Sequence, residues 1–168
     1  MPDHMPPEIR LSCPGDRDAV DALLARSYPA LMAADYPPDL LAEALPIIAR
    51  AQPDLLASGS YFVAEQADRV VAAGGGWTRG TRGPDRIGHV RHVATDPACL
   101  RRGVGRALMG AVMRDAAGRG ITDLHCHSSL TAEPFYRALG FTRVAEVMVR
   151  LPGELLFPSI HMYARLGA

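Results

Sequence analysis

The chain has few cysteines and no net charge, and both absences exclude classes of protein. Its three cysteines, Cys13, Cys99 and Cys126, lie far apart without a C-x-x-C pair. This spacing argues against a disulfide framework and favours a reducing compartment. Because 18 basic and 18 acidic residues balance, no basic field indicates a nucleic-acid partner. We therefore expect a cytoplasmic protein with no nucleic-acid partner.

Long apolar runs and targeting signals are also absent. No stretch is apolar enough to span a bilayer, so we expect no membrane partner. The first residues lack the basic and apolar regions of a secretory signal. A chain of 168 residues buries roughly two-thirds of its unfolded surface in an ordinary core. We therefore expect residues 1–168 to form a single domain.

The most informative segment combines two glycines with three arginines. A strand-like run ends at Asp96-Pro97 and is followed by Leu100-Arg101-Arg102-Gly103-Val104-Gly105-Arg106 at the start of a predicted helix. Glycines two apart let a ligand approach the backbone, and the first amides of a helix lack intrahelical acceptors. This pattern favours a phosphate or diphosphate at the helix start. The alternative is a tight connection followed by a solvated arginine face.

A second segment also carries a recognisable pattern. After a predicted strand comes Ala132-Glu133-Pro134-Phe135-Tyr136-Arg137-Ala138-Leu139-Gly140-Phe141, which predicts a short helix closed by its glycine. Together the two segments resemble the signatures Q/R-x-x-G-x-G/A and A-x-x-F-Y-x-x-L-G-F of the GCN5-related N-acetyltransferase (GNAT) superfamily. The chain departs from them at Leu100, where the family has Gln or Arg, and at Ser129, where many members have Asn.

The resemblance implies an α/β fold with a mixed, mostly antiparallel twisted sheet. We expect about seven strands and about four helices, with the fourth and fifth strands splayed apart.

Two local features are predicted from the residues alone. Pro46 should interrupt the second helix, because proline removes a helix hydrogen bond. Gly74-Gly75-Gly76 inside a strand should mark a bulge or a close backbone approach.

The resemblance also implies acetyl-CoA as co-substrate. Family members hold the pantetheine arm along the fourth strand and the diphosphate on the glycine loop, with no metal ion. The positions that match these cofactor contacts are Val93, Ala94, Thr95, Arg101, Arg102, Gly103, Val104, Gly105, Arg106 and Ser129.

Catalytic candidates follow from the same resemblance. Tyr136 matches the family's general acid for the CoA thiolate, and its alternative role is a packed aromatic beside Phe135. His89 matches the catalytic glutamate of histone acetyltransferases, and imidazole titrates near neutral pH, so we expect it to act as base directly or through water. His127 is a further candidate base. His92 should face away from His89, because strand residues alternate.

The run His125-Cys126-His127 contains residue types that bind zinc. Adjacent strand residues point to opposite faces, however, and no partner motif lies nearby. We therefore expect no metal site and a buried Cys126 that behaves as a small apolar residue.

The leading interpretation is an N-acetyltransferase whose acceptor amine attacks acetyl-CoA directly in a ternary complex. A small-molecule acceptor is favoured over a polycation, and a peptide acceptor stays open. We expect Trp77, the second helix and the loop from Leu151 to Ile160 to shape its pocket. The alternatives are a non-catalytic acyl-CoA binding or sensing domain, a nucleotide-binding module, and an acetyl-enzyme on Cys99 or Cys126. A homodimer through the C-terminal strand also stays open.

Overall fold

The computed structural model describes residues 5–167, which form seven strands and five α-helices. The strands are β1 (Glu8–Leu11), β2 (Tyr61–Glu65), β3 (Val71–Arg79), β4 (Ile87–Thr95), β5 (Asp123–Ser129), β6 (Thr142–Leu151) and β7 (Leu155–Arg165). The helices are α1 (Arg17–Met32), α2 (Pro38–Ile48), α3 (Pro53–Leu56), α4 (Val104–Gly118) and α5 (Glu133–Ala138). The short α3 is the one helix that the sequence did not predict.

All seven strands form one sheet in the order β1-β2-β3-β4-β5-β7-β6. The β4–β5 pair is parallel and the other five pairs are antiparallel, which confirms the predicted mixed sheet. The parallel pairing joins only Ile87–His89 to Asp123–His125. Past those residues the two strands separate, so the expected splay is confirmed.

Helices cover both faces of the first half of the sheet. In β2, Val63 packs with the apolar residues of α1, whereas its neighbour Ala64 packs with Val104 and Leu108 of α4. Because alternate strand residues point to opposite sides, α1 and α4 lie on opposite faces. Within residues 5–167 no helix is long and apolar enough to cross a membrane.

The glycine run in β3 is as crowded as predicted. The β3–β4 register shifts between Gly74 and Gly76, which marks a bulge. A Cβ on Gly76 would lie 2.4 Å from the Ser60 carbonyl oxygen, and one on Gly75 would lie 2.9 Å from Val93 Cγ2. Backbone and side chains of neighbouring strands therefore occupy the space that larger residues would need.

One expectation about local structure is wrong, and one possibility that the sequence left open loses its structural basis. Helix α2 continues through Pro46, because the proline lies near its end and the Ala49 amide still donates to the Leu45 carbonyl at 2.9 Å. The C-terminal strand β7 is paired on both sides, with β5 and with β6, so it offers no free edge to a second copy. The outer edge strand is β6, on which Val144 and Met148 are exposed.

Gly76→Ala should lower the free energy of unfolding by about 2 kcal/mol, because the added methyl group would meet backbone atoms that cannot move aside. Gly118→Ala is the matched control, since its Cβ would meet nothing within 4 Å. In a helix that change should raise the free energy by about 0.5 kcal/mol. Urea denaturation measures both. Equal effects of the two substitutions would contradict the close approach at Gly76.

Candidate active site

A cavity of about 590 Å³ opens where β4 and β5 separate. One side is formed by β4 and the other by β5, while α1, α2, α5 and the β6–β7 hairpin complete it. The lining residues from the two splayed strands are Val90, His92, Val93, Ala94, Thr95, Cys126, His127 and Ser129. Three of the predicted cofactor positions on β4, and Ser129 on β5, therefore meet in one cavity.

Side chains of α1 hold the open end of β4. The Tyr28 hydroxyl donates to the Val93 carbonyl at 3.1 Å, and the Ser27 hydroxyl donates to the Thr95 carbonyl at 2.8 Å. These bonds satisfy backbone groups that lack a partner strand on this side. These two bonds therefore hold the conformation of β4 at the cavity without any ligand.

The glycine loop joins this strand to α4. Arg101 and Gly103 have left-handed backbones, with φ of 64° and 75°, and α4 begins directly after them at Val104. A Cβ on Gly105 would lie 2.8 Å from Thr95 Oγ1 and 3.2 Å from the Phe135 ring. Glycine is therefore needed at position 105 for the helix to start this close to β4.

The residues of the glycine loop differ in their burial. Val104 and Gly105 are buried, whereas the arginines at positions 101, 102 and 106 are exposed. The 15-residue α4 presents the unpaired amides of its first turn at this end. Leu100 lines the cavity and is 44% exposed.

Tyr136 lies in the cavity wall on α5. Its ring packs edge-on against Phe135 and Phe141, at centroid distances of 5.3 and 5.4 Å. Burial raises the pKa of Tyr136 well above its ordinary value, so the phenol stays protonated at neutral pH. Burial also raises the pKa of Cys126, in the same wall, to about 12.

The turn before α5 contributes two hydroxyl groups. Ser129 Oγ accepts a hydrogen bond from the Ala132 amide at 3.1 Å, which fixes the turn. Thr131 also lines the cavity, and its Oγ1 is buried with no hydrogen-bond partner among residues 5–167. A buried hydroxyl without a partner is costly unless a ligand or water satisfies it.

Four imidazoles from β4, β5 and β7 form a row, hereafter the histidine row: His89, His125, His127 and His161. His125 Nδ1 and His161 Nε2 lie 2.8 Å apart, and the rings of His127 and His161 meet edge-on at 5.7 Å. His89 contacts His125, at 5.8 Å between ring centres. Of the row, only His127 lines the cavity.

Three members of the histidine row, His89, His125 and His127, are held towards their neutral forms. Partial burial lowers the pKa of His89, His125 and His127, and the neighbouring imidazoles lower it further. The Arg91 guanidinium adds to this effect on His89 and His127. Neutral imidazoles can accept a proton, so the row is chemically suited to act as a base.

The expected alternation between His89 and His92 is wrong. A left-handed backbone at His92, with φ of 56°, accompanies the bulge in β4 and inserts one residue. His92 therefore lies on the side of the sheet that α1 and α2 cover. Its ring contacts Tyr28, and its Nε2 lies 2.7 Å from the Ile48 carbonyl oxygen. Because a carbonyl only accepts, Nε2 carries the hydrogen of the neutral ring.

Trp77 does not form a pocket wall as expected. It is 3% exposed, packs in the core beneath α4, and donates from Nε1 to the Asp115 carboxylate at 2.8 Å. Three further residues at or beside the cavity, Tyr28, Thr131 and His161, are not indicated by any motif in the sequence. Within residues 5–167, no group of three or more His, Cys, Asp or Glu is arranged to hold a metal ion.

Comparison with known proteins identifies the family. The sequence profile of the acetyltransferase (GNAT) domain matches residues 57–143, which are 87 of the 168 residues. The chain belongs to the GNAT acetyltransferase family. The matched region runs from the end of α3 to the start of β6 and includes both splayed strands, the glycine loop and Tyr136.

Relatives within the GNAT family are distant. A mycothiol acetyltransferase of Amycolatopsis mediterranei is 36% identical over 92 residues, which are 49% of this chain and 30% of that protein. A glucosamine 6-phosphate N-acetyltransferase of Trypanosoma brucei brucei is 35% identical over 71 residues, 42% of this chain and 48% of that protein. The match thus spans less than half of either relative.

Solved GNAT structures share the whole fold. A GCN5-related N-acetyltransferase from Rhodopseudomonas palustris has a TM-score of 0.75 and 23% identity, covering 97% of this chain and 98% of that one. PaiA N-acetyltransferase from Thermoplasma acidophilum, in complex with coenzyme A, has a TM-score of 0.70 and 13% identity, covering 96% and 99%. At these identities the likeness establishes the fold alone.

Proposed function

We propose that the chain is an acetyl-CoA-dependent N-acetyltransferase that acts on the primary amine of a small-molecule acceptor. The observation that carries this proposal is the cavity between the splayed strands, where a protonated phenol and a neutral imidazole line the same space. Acetyl transfer to an amine needs such an acid and such a base. The names of the two relatives, which refer to mycothiol and to glucosamine 6-phosphate, support a small-molecule acceptor.

The residues present fit coenzyme A. The left-handed loop from Arg101 to Gly103 leads into the first turn of α4, where unpaired amides and three arginines favour a diphosphate. Thr131 Oγ1, buried without a partner in the cavity, can bond a polar group of the pantetheine arm. Acetyl-CoA supplies the acetyl group as a thioester. We assign its binding to β4 from Val93 to Thr95, to the loop and to Ser129.

Tyr136 is assigned the role of general acid. Its raised pKa keeps the hydroxyl protonated, so it can donate a proton to the departing sulfur. The packing of its ring against two phenylalanines fixes the direction of the hydroxyl. In the transfer, the bond from nitrogen to the acetyl carbon forms as the bond from that carbon to sulfur breaks.

His127 is assigned the role of general base, because it is the member of the histidine row that lines the cavity. It takes one proton from the amine, while the proton lost by Tyr136 returns from solvent. His89, the position matched by the family resemblance, contacts His125 and lies outside the cavity lining. A water molecule would have to connect His89 to an amine in the cavity.

Direct attack is favoured over an acetyl-enzyme. The Cys126 thiol, with its pKa raised to about 12, stays protonated and is a poor nucleophile. Cys99 is buried, accepts a hydrogen bond from Gln66 Nε2 at 3.1 Å, and does not line the cavity. The second candidate function, a non-catalytic acyl-CoA binding or sensing domain, is favoured by Leu100 at the first loop position and by His89 at the position of the catalytic glutamate of histone acetyltransferases.

Gly103→Ala should weaken coenzyme A binding about tenfold, because a side chain resists the left-handed backbone that aims the loop amides. Gly120→Ala is the matched control, since Gly120 also has a positive φ of 88° and open space around its Cβ. Both should lose about 1 kcal/mol of unfolding free energy, but only Gly103→Ala should change the calorimetric Kd. Unchanged affinity in Gly103→Ala would remove the loop from the binding site.

Tyr136→Phe should lower kcat by about 100-fold or more while leaving the Kd for coenzyme A unchanged, because the acid is lost and the ring packing is kept. Tyr163→Phe is the control, since its hydroxyl donates to Asp123 and its side chain does not line the cavity. Release of free thiol from acetyl-CoA measures the rate. A wild-type protein that binds acetyl-CoA without turnover on any amine would instead support the binding-domain alternative.

His127→Gln should lower kcat about 100-fold and abolish the acid limb of its pH profile. In the wild type that limb should lie below pH 6.5, because burial, His161, Arg91 and His125 all lower the pKa of His127. Arg91→Met removes a neighbouring cation, so it should raise this pKa and move the limb to higher pH. If His89→Gln abolishes the limb and His127→Gln keeps it, the base is His89.

A further inference from the structure

The cavity also carries information about the acceptor. We infer that the acceptor presents its amine on an uncharged, apolar body of the arylalkyl or alkyl kind, and that a carboxylate, a phosphate or a sugar in place of that body prevents acetylation. This inference rests on the proposed function and concerns the part of the cavity between α1, α2 and the β6–β7 hairpin.

No described residue that lines the cavity is Asp, Glu, Lys or Arg. An acceptor with a carboxylate or phosphate would lose hydration there without gaining a counter-ion. The same holds for the charged tail of a polyamine. Arg91, on the strand that carries the bulge, is absent from the lining and its Nε donates to the Thr78 hydroxyl at 2.9 Å. The cavity therefore selects against a second charge on the acceptor.

The wall opposite the cofactor residues is apolar and comes from three elements. It consists of Leu31 and Met32 of α1, Ile47 and Ile48 of α2, and Val149, Leu151 and Phe157 of the hairpin. Apolar and aromatic side chains of this kind gain free energy by covering an apolar ligand. A sugar ring would instead leave its hydroxyl groups against hydrocarbon.

This wall is built before any ligand arrives. Tyr36 stacks on Phe157, with ring centres 4.5 Å apart and an interplanar angle of 16°. The Tyr36 hydroxyl donates to the Pro158 carbonyl at 2.7 Å and accepts from the Leu130 amide at 2.9 Å. These contacts join the connection between α1 and α2, where Tyr36 lies, and the hairpin to the turn before α5. A preformed apolar pocket binds without the cost of ordering its walls.

The polar groups beside this wall are already used. The His92 ring bonds to the Ile48 carbonyl, the Tyr28 hydroxyl to the Val93 carbonyl, and the Ser159 hydroxyl to the Phe157 carbonyl. Gln52, an exposed residue, is the one amide side chain in the lining. Few donors and acceptors are thus left to recognise sugar hydroxyls, in contrast to what an acceptor such as glucosamine 6-phosphate would require.

The test compares matched acceptors in a thiol-release assay with acetyl-CoA. 2-Phenylethylamine and phenylalanine differ by one carboxylate, and glucosamine and glucosamine 6-phosphate provide polar amines with and without an anion. We expect kcat/KM for 2-phenylethylamine to exceed that for each of the other three by about 100-fold. Hexylamine should behave like 2-phenylethylamine, because an apolar body is what the wall recognises.

A charge placed in the wall should reverse the preference. Ile47→Arg should lower kcat/KM for 2-phenylethylamine and raise it for phenylalanine, since the guanidinium pairs with the carboxylate. Ile47→Leu is the matched control and should keep the wild-type preference. The Kd for acetyl-CoA, measured by calorimetry, should be the same in both variants and in the wild type, which confirms that the fold and the cofactor site are intact.

Two outcomes would overturn the inference and can be told apart. If glucosamine or phenylalanine is acetylated as fast as 2-phenylethylamine, the acceptor class is wrong while the proposed acetyltransferase activity stands. If acetyl-CoA binds and no amine of the panel releases thiol, both the acceptor class and the proposed activity fail.

Discussion

The short pairing between β4 and β5 is the constraint on which the rest of the structure depends. Only three residues of each strand are paired, so the remaining backbone of β4 has no partner strand on that side. Buried backbone groups must find other partners. Side chains of α1 satisfy the carbonyls of Val93 and Thr95, and the space left between the strands becomes the cavity. The bonds from α1 to β4 and the location of the site both follow from this early end of the pairing.

Burial has opposite effects on the pKa values of the two proposed proton-transfer groups, and both effects favour neutral forms. The phenol of Tyr136 is kept protonated because its anion would be poorly solvated. The imidazole of His127 is kept unprotonated because its cation would be poorly solvated and would lie near Arg91 and other imidazoles. One apolar environment therefore prepares an acid and a base without any carboxylate in the cavity lining. The same environment disfavours the binding of a charged ligand in the cavity.

Much of the fold could be predicted because its signals are local. The glycine loop, the closing glycine of α5 and the strand that ends before Asp96-Pro97 are encoded by neighbouring residues, and β4 ends at Thr95 as that strand requires. The place of Tyr136 in the cavity wall was predictable from its motif. The histidine row was not, because it forms when β5 pairs with β7, which brings His127 opposite His161. The spacing of the histidines along the chain does not indicate which residues of β5 and β7 pair.

The position of His92 shows a different limit of prediction from sequence. Strand alternation predicts its side correctly only if β4 is regular, and the bulge depends on glycines in the adjacent strand β3. Gly75 approaches Val93 so closely that a larger residue would be excluded. The conformation of one strand is thus set by the composition of its neighbour, which a reading of either strand alone does not capture.

The bond between the His92 ring and the Ile48 carbonyl has a consequence for how the two proposed ligands affect each other's binding. It ties the last turn of α2, which carries part of the apolar wall, to the bulge in the strand that leads into the glycine loop. An acceptor large enough to displace α2 would pull on that strand and so alter the binding of the cofactor. By thermodynamic reciprocity, the cofactor would then change the affinity for that acceptor by the same factor. In the proposed enzyme, this hydrogen bond would therefore couple the size of the acceptor to cooperativity between acceptor and acetyl-CoA.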